Sequence, residues 1–294
     1  MGRIKNAAPV WRGMVVLSAA LMLAACQPSG GGEDTLAAQS TERPMRIVSL
    51  DYCADQYLLQ LADREQILAI SPGGVEDFSY MRDAAIGMPT VRPNAEDVLI
   101  LEPDLIIRSY GGGPNAAGFF ERAGVPVLQL GWISSIDGAE EGSIAQQIAH
   151  VADGLGQSER GAALITKFRS RLAAISKRSS DAATLYMTPA GVTSGPGSLI
   201  HEMLIAAGLS NFQAESGWHS LPLERLAYEQ PDLVAAAFFD SFFSTPDAWG
   251  AAQHPVARAQ LTDRDVVPLD GAWTACGGWF ILDAIEALAD GARG

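Results

Sequence analysis

The side chains that most often carry chemistry are poorly placed to do so in this chain. Its four histidines, His150, His201, His219 and His254, show no paired spacing. Capture of a bare metal ion draws several such donors together, so no protein-held metal is expected. No GxSxG, P-loop or HExxH pattern occurs, and the glycines at 111–113 lack the GxGxxG spacing of a dinucleotide loop. Ser194 before Gly195 would make a nucleophile elbow only with a strand running straight into it, and VTSGPGS reads as a Gly/Pro-broken loop. The acidic pair Glu140/Glu141 falls in a polar stretch and reads as solvated. The expectation is a protein without catalysis and without a cofactor of its own. A lipid-anchored hydrolase is the rival reading, and it requires a catalytic pair that nothing here singles out.

Three cysteines remain to be explained. Cys26 ends an LAAC motif after MVVLSAALMLAA, an apolar run too short to span a bilayer, itself preceded by Arg3, Lys5 and Arg12. That arrangement resembles the lipobox at which bacterial lipoproteins are cleaved and acylated. Residues 1–25 are therefore expected to be a signal peptide, Cys26 the lipidation site, and residues 26–44 a flexible Gly/Ser/Glu-rich tether. Cys53 and Cys276 each stand at the start of a helix behind a strand. The oxidising setting of an exported protein favours a disulfide between them, with free buried thiols or thiolate ligation of a bound chelate's metal as alternatives.

Composition fits a soluble α/β protein. The chain has 294 residues, 48% apolar and 18% charged, and carries a formal charge of −14. Removal of residues 1–25 takes away three basic side chains and no acidic one, leaving −17. Such a surface disfavours nucleic acid. From Arg46 onward short aliphatic runs alternate with segments of helical periodicity: RIVSL, ILAIS, DLIIRS and VPVLQL as strands, with helices between them. Two helical segments follow, SIAQQIAHVADGLG and a long one opening at the N-cap candidate Ser158. Alternation then resumes with ATLYM, SLIHEMLIAAG, DLVAAAFF, DVVPLD and GWFILDAIEALAD. The fold class expected is α/β, with two Rossmann-like lobes of mostly parallel sheet joined by one long helix. The boundaries are 45–140 for the first lobe, 141–178 for the connecting helices and 179–294 for the second.

One phrase occurs twice. AEDVLILEPDLII begins at Ala95 and LERLAYEQPDLVA at Leu223, 128 positions later, so that Glu96 answers Glu224, Pro103 answers Pro231, and Asp104 answers Asp232. Together with RIVSLDYCADQYLLQLA and GPGSLIHEMLIAAGLSN, this resembles the periplasmic substrate-binding proteins of ABC importers for iron-siderophores, haem and vitamin B12. The resemblance runs from about Arg46 to the end of the chain. It implies a monomer that takes up a small-molecule metal chelate between its lobes and docks on a permease dimer through one acidic residue per lobe, here Glu96 and Glu224. A first-turn carboxylate also suits a helix dipole without any partner.

Large rigid ligands of that kind are held by aromatic faces, which bury much area with little rotamer entropy. The aromatic residues in strand-end loops are Tyr52, Tyr110, Trp132, Trp218, Phe239 with Phe242 and Phe243, and Trp273. Trp218 and Trp273 match tryptophans that face the corrin in B12-binding members, whereas Val91 or Arg92 stands where those members carry a first-lobe tryptophan. Arg92 and Arg108 are candidates to meet an anionic ligand, or else to pair internally in so acidic a chain. The expected location is outside the cytoplasm, anchored by lipid.

Overall fold

The runs IVS and LIIR are buried along their whole length, as strands covered on both faces must be. The structure, a computed structural model, describes residues 43–138, 142–175, 181–238 and 250–292. The signal segment, Cys26, Glu140/Glu141 and Phe239, Phe242 and Phe243 therefore lie outside the described residues. In the first lobe β1 (Ile47–Ser49), β2 (Ile67–Ala69), β3 (Leu105–Arg108) and β4 (Val127–Gln129) form a parallel sheet in the order β2-β1-β3-β4. The helices between them are α1 (Tyr52–Leu61), α2 (Arg82–Ala85), α3 (Ala95–Leu99) and α4 (Ala116–Arg122).

Two helices follow, α5 (Ile144–Gly154) and α6 (Ser158–Ala174). Ser158 proves to be the first helical residue and not the cap, since Gln157 holds that place without a side-chain bond. The second lobe then runs β5 (Ala183–Met187), β6 (Val192–Ser194), α7 (Leu199–Ala206), β7 (Ser210–Asn211), β8 (Trp218–Ser220), α8 (Leu223–Leu226) and β9 (Leu233–Ala237). It closes with α9 (Pro255–Gln260), β10 (Asp265–Leu269), α10 (Gly271–Thr274) and α11 (Ile281–Gly291). Its parallel sheet has the order β10-β9-β5-β7. Read from the other edge, that is the topology of the first lobe, with β5, β7, β9 and β10 in the places of β1, β2, β3 and β4. The stretch expected to be a Gly/Pro-broken loop instead begins as strand β6, paired antiparallel with β8. Ser194 at its end is buried, with its hydroxyl donating to the Gly217 carbonyl at 3.3 Å, so it is no exposed elbow.

The repeated phrase has a structural role in both lobes. Asp104 accepts from the backbone N–H of Met45 and of Arg46, at 2.8 and 2.9 Å, and returns its own N–H to the Arg46 carbonyl. Asp232 accepts from the Ala183 N–H at 2.8 Å and likewise returns its N–H to Ala183. Each Pro-Asp pair thus stops a short helix and fastens the central strand to its neighbour.

Side chains alternate across each sheet with period two. Ile47, Leu105, Ile107, Tyr186, Leu233 and Ala235 face one hydrophobic cluster that both lobes share, with Tyr57, Ile148, Phe168 and Ile285 in it. Val48 and Ile106 face a satellite core of the first lobe, and Leu185 and Val234 one of the second. The lobes are therefore packed on common ground. The helix α6 lies so close on α5 that a Cβ at Gly161 would meet the Ala152 methyl at 2.4 Å. Its far end reaches α11 through Arg171, which pairs with Asp283 and Glu286. Tyr80 stacks on Phe280 at 4.7 Å, and the Tyr57 hydroxyl donates to the Gly277 carbonyl at 2.9 Å. Cys53 and Cys276 form a disulfide between the lobes, with Cα atoms 5.5 Å apart and a sequence separation of 223. No helix among the described residues is long and apolar enough to cross a membrane.

Closing so long a loop stabilises the folded state by about 5 kcal/mol in the chain-entropy treatment. Replacing both Cys53 and Cys276 by serine is expected to lower the unfolding free energy by about that amount. Urea unfolding of the double variant beside the parent measures it, and a loss below about 1 kcal/mol would show that the shared core alone fixes the lobes.

Candidate functional site

The C-terminal ends of the strands in both sheets deliver residues to one cleft, as open α/β sheets do. From the first lobe come Tyr52 behind β1, Ser109 and Tyr110 behind β3, and Gly131, Trp132 and Ile133 behind β4. From the second come Thr188, Pro189 and Ala190 behind β5, Phe238 behind β9, and Thr274 to Gly277 at the end of α10. The cleft has two adjoining parts, of about 260 and about 340 Å³, which share Tyr52, Trp218, Thr274 and Ala275. The Cys53–Cys276 bond lies in the wall of the smaller part.

One buried carboxylate arranges the first-lobe wall. Asp51 caps α1, its Oδ1 accepting from the Ala54 N–H at 3.0 Å. Its Oδ2 accepts three more backbone N–H groups, from Ser109, Tyr110 and Gly111, at 2.7, 3.0 and 2.8 Å. The Arg108 guanidinium holds the same loop from the other side, donating to the carbonyls of Gly111 and Gly113 and to the Gln129 Oε1 at 2.8 to 2.9 Å. Gly111 is obligatory there, because a Cβ would lie 2.2 Å from the Leu50 carbonyl oxygen. Tyr110 is in this way held half in solvent and half over the cleft.

Tyr52 supports it. Its ring packs edge-on against Phe78 at 4.6 Å and against Tyr110 at 6.1 Å. Burial holds the Tyr52 hydroxyl above the usual phenol range, and the Asp51 charge adds to it. Burial raises Tyr110 too. Both rings therefore present hydroxyl groups at neutral pH, not phenolates. Behind them Asp55 is fully buried, accepting from the Ser71 N–H at 3.1 Å and the Ser71 hydroxyl at 2.6 Å. Burial pushes its carboxyl up to about 7, against the pull of those bonds.

Tyr52, Tyr110, Trp132 and Trp218 thus come together around the cleft, Trp132 with 74% of its surface exposed and Trp218 with 50%. Trp273 does not join them. It is half-buried and packs against the shared core, while Thr274, about 100° further round the helix, faces the opening. Neither arginine candidate lines the cleft. Arg108 is spent on its own loop, and Arg92 pairs with Asp97 at 2.6 Å. Val91 is buried in the first-lobe satellite core. Glu96 and Glu224 are exposed in the first turns of α3 and α8, without an ion pair among the described residues. No group of three or more His, Cys, Asp or Glu side chains among the described residues is arranged to hold a metal ion.

Sequence reasoning missed Tyr186 and Phe238. Reading the strand through DLVAAAFF placed the first free aromatic at Phe239, but β9 ends at Ala237. Phe238 adopts φ 67°, a conformation costly for a bulky residue, and its ring lies over Gly271. Tyr186 is the inward residue of a strand and meets Trp218 edge-on at 6.5 Å. No signal in the chain marks it apart from other core tyrosines.

The sequence model of the periplasmic binding proteins matches residues 47–239. A cobalamin-binding protein of Halobacterium salinarum is 27% identical over 201 residues, which are 65% of this chain and 53% of that protein. The match thus spans about half the length of this curated relative. Among solved structures, a periplasmic haem-binding protein of Roseiflexus sp. RS-1 superposes with a TM-score of 0.64 at 22% identity, covering 84% of this chain and 98% of its own. A periplasmic vitamin B12 binding protein of Vibrio cholerae gives 0.59 at 18% identity, covering 85% and 97%. At these identities the two structures speak for the fold.

Asp55 links the site to pH. Its folded-state value is raised, so the stability it contributes is complete below about pH 4 and is lost as pH rises through about 7. Asp55→Asn keeps the shape and removes the titration. It is expected to gain on the parent by up to roughly 4 kcal/mol between pH 4 and pH 8, read from urea unfolding across that range. A difference that stays constant with pH would show that the carboxyl titrates normally.

Proposed function

The chain belongs to the periplasmic binding protein family, and within it we propose that it captures a rigid metal chelate without net anionic groups, a corrinoid or a neutral ferric siderophore, and hands it to an ABC importer. The observation that carries this reading is the makeup of the cleft wall. Tyr52, Tyr110 and Trp132 on one lobe face Trp218 and Phe238 on the other, and no charged side chain lines either part among the described residues. Aromatic faces of this kind hold a flat or macrocyclic ligand through area and a few hydroxyl bonds. The likeness to a cobalamin-binding protein supports the corrinoid within that class.

Haem is the second reading, since structural neighbours include haem carriers. Its propionates call for cations, and neither arginine expected near the cleft is among the residues that line it. Binding without catalysis suits a wall lined, among the described residues, by no histidine, carboxylate or lysine to activate its hydroxyl groups. Export and lipid anchoring through Cys26 rest on the sequence of residues 1–26. Docking on the permease falls to Glu96 and Glu224, which stand at the same place in two lobes of one topology, as a two-fold partner requires.

Titration of the chain from Glu42 onward with cyanocobalamin, a neutral ferric hydroxamate and haemin, followed by tryptophan fluorescence, tests the ligand class. Saturable quenching by one of the first two at micromolar or tighter concentration is expected, weakened about 10-fold by Trp218→Ala or Trp132→Ala. Tightest binding by haemin would overturn the neutral-ligand reading. For docking, Glu96→Lys with Glu224→Lys is expected to reduce uptake of that ligand to background while its Kd changes less than about 2-fold. Uptake at the parental rate would remove the glutamates from the docking surface.

A further inference from the structure

Ile100 and Tyr228 are the two most exposed large apolar side chains among the described residues, at 81% and 91%. A single exposed isoleucine needs no explanation. These two, however, occupy the same position of the repeated phrase: Ile100 stands four residues after Glu96, and Tyr228 four after Glu224. Ile100 caps α3 in helical backbone, at φ −65° and ψ −20°, and Tyr228 lies in the turn behind α8 with its N–H on the Arg225 carbonyl at 3.0 Å. Four residues make about one helical turn, so each lobe presents a carboxylate and a large apolar group on one exposed face.

The rest of the phrase is accounted for by the fold. Val98 and Leu226 fill the satellite cores, the Pro-Asp pairs fasten strands, and Leu105 and Leu233 face the shared core. Ile100 and Tyr228 have no such inward duty. The charges around them also match. In the first lobe Arg92 neutralises Asp97 at 2.6 Å, and in the second Arg225 neutralises Glu229 at 2.6 Å, whereas Glu96 and Glu224 make no ion pair among the described residues.

We propose that Ile100 and Tyr228 are the apolar anchors of a two-station docking surface. The partner it fits is a two-fold symmetric membrane permease that offers, at each station, a cation beside an apolar hollow. This rests on the permease reading given above and adds the residues that set how long the complex lasts. The glutamates steer the encounter and make it salt-dependent, whereas a desolvated apolar anchor governs dissociation. A second copy of this chain is a poor occupant, because it would bring Glu96 and Glu224 against a strongly acidic surface, −14 for the whole sequence and −17 without residues 1–25.

The test places a photoreactive benzoylphenylalanine at position 100, at position 228 or, as control, at Ile86, which is 74% exposed and outside the phrase. The full chain is expressed in its own cells, irradiated, and its cross-linked partners identified by mass spectrometry. Positions 100 and 228 are expected to capture the same multispanning permease, and position 86 not to. Capture at only one of the two, at neither, of a second copy of this chain, or equally from position 86 overturns the proposal. The captured permease is then purified and its affinity measured against salt. Ile100→Ser and Tyr228→Ser are each expected to weaken it about 10-fold at every salt concentration, while Glu96→Gln with Glu224→Gln flattens the salt dependence. If the glutamate pair matters and the serine variants bind like the parent, this inference falls and the permease reading stands. If the serine variants weaken binding and the glutamate pair changes nothing, the anchors stand and the glutamate assignment falls.

Discussion

The Asp51 carboxylate is the contact on which the cleft depends. It begins α1, and with its second oxygen it gathers three consecutive N–H groups of the loop behind β3. A loop of that length carries donors that no strand or helix satisfies, and a neutral side chain accepts too few of them. With Arg108 drawing the loop's carbonyls the other way, the backbone under Tyr110 has both its donors and its acceptors occupied. Tyr110 leans on Tyr52, which lies one residue from Asp51, so both rings of this wall take their positions from one anion.

The second constraint is the core that the lobes share. In a protein whose lobes had separate cores, a ligand would have to draw them together and order them. Here the cleft stands open over side chains already packed across both sheets, with a disulfide, an aromatic stack and a tyrosine hydrogen bond crossing between the lobes. Aromatic walls fixed in advance lose little freedom on binding, which favours affinity without a large closing motion.

Much of this was legible in the sequence. The alternation of buried runs and amphipathic helices located the strands of both parallel sheets except the two-residue β7, and the phrase repeated after 128 positions marked the equivalence of the lobes. Tyr52, Tyr110, Trp132 and Trp218 were readable because each lies just behind an aliphatic run or close to a repeated motif. What escaped depended on tertiary detail. The β6–β8 hairpin forms from Gly/Pro-rich segments that no periodicity reveals. Arg108 looked like an anion site because its destination, the carbonyls of a loop three to five residues away, is set by a turn and not by spacing. Trp273 failed for want of a helix phase: four residues of α10 are too few to show which side faces the core.

The bond between Cys53 and Cys276 also orders events in time. In an exported chain Cys53 emerges 223 residues ahead of its partner, so the first lobe must remain reduced until nearly the whole second lobe has crossed the membrane. Three cysteines permit three pairings, and acylation of Cys26 would leave one. With Cys26 so removed, maturation would call for an oxidant and not for an isomerase, and a chain stalled during translocation would be recognisable by its unpaired Cys53 thiol.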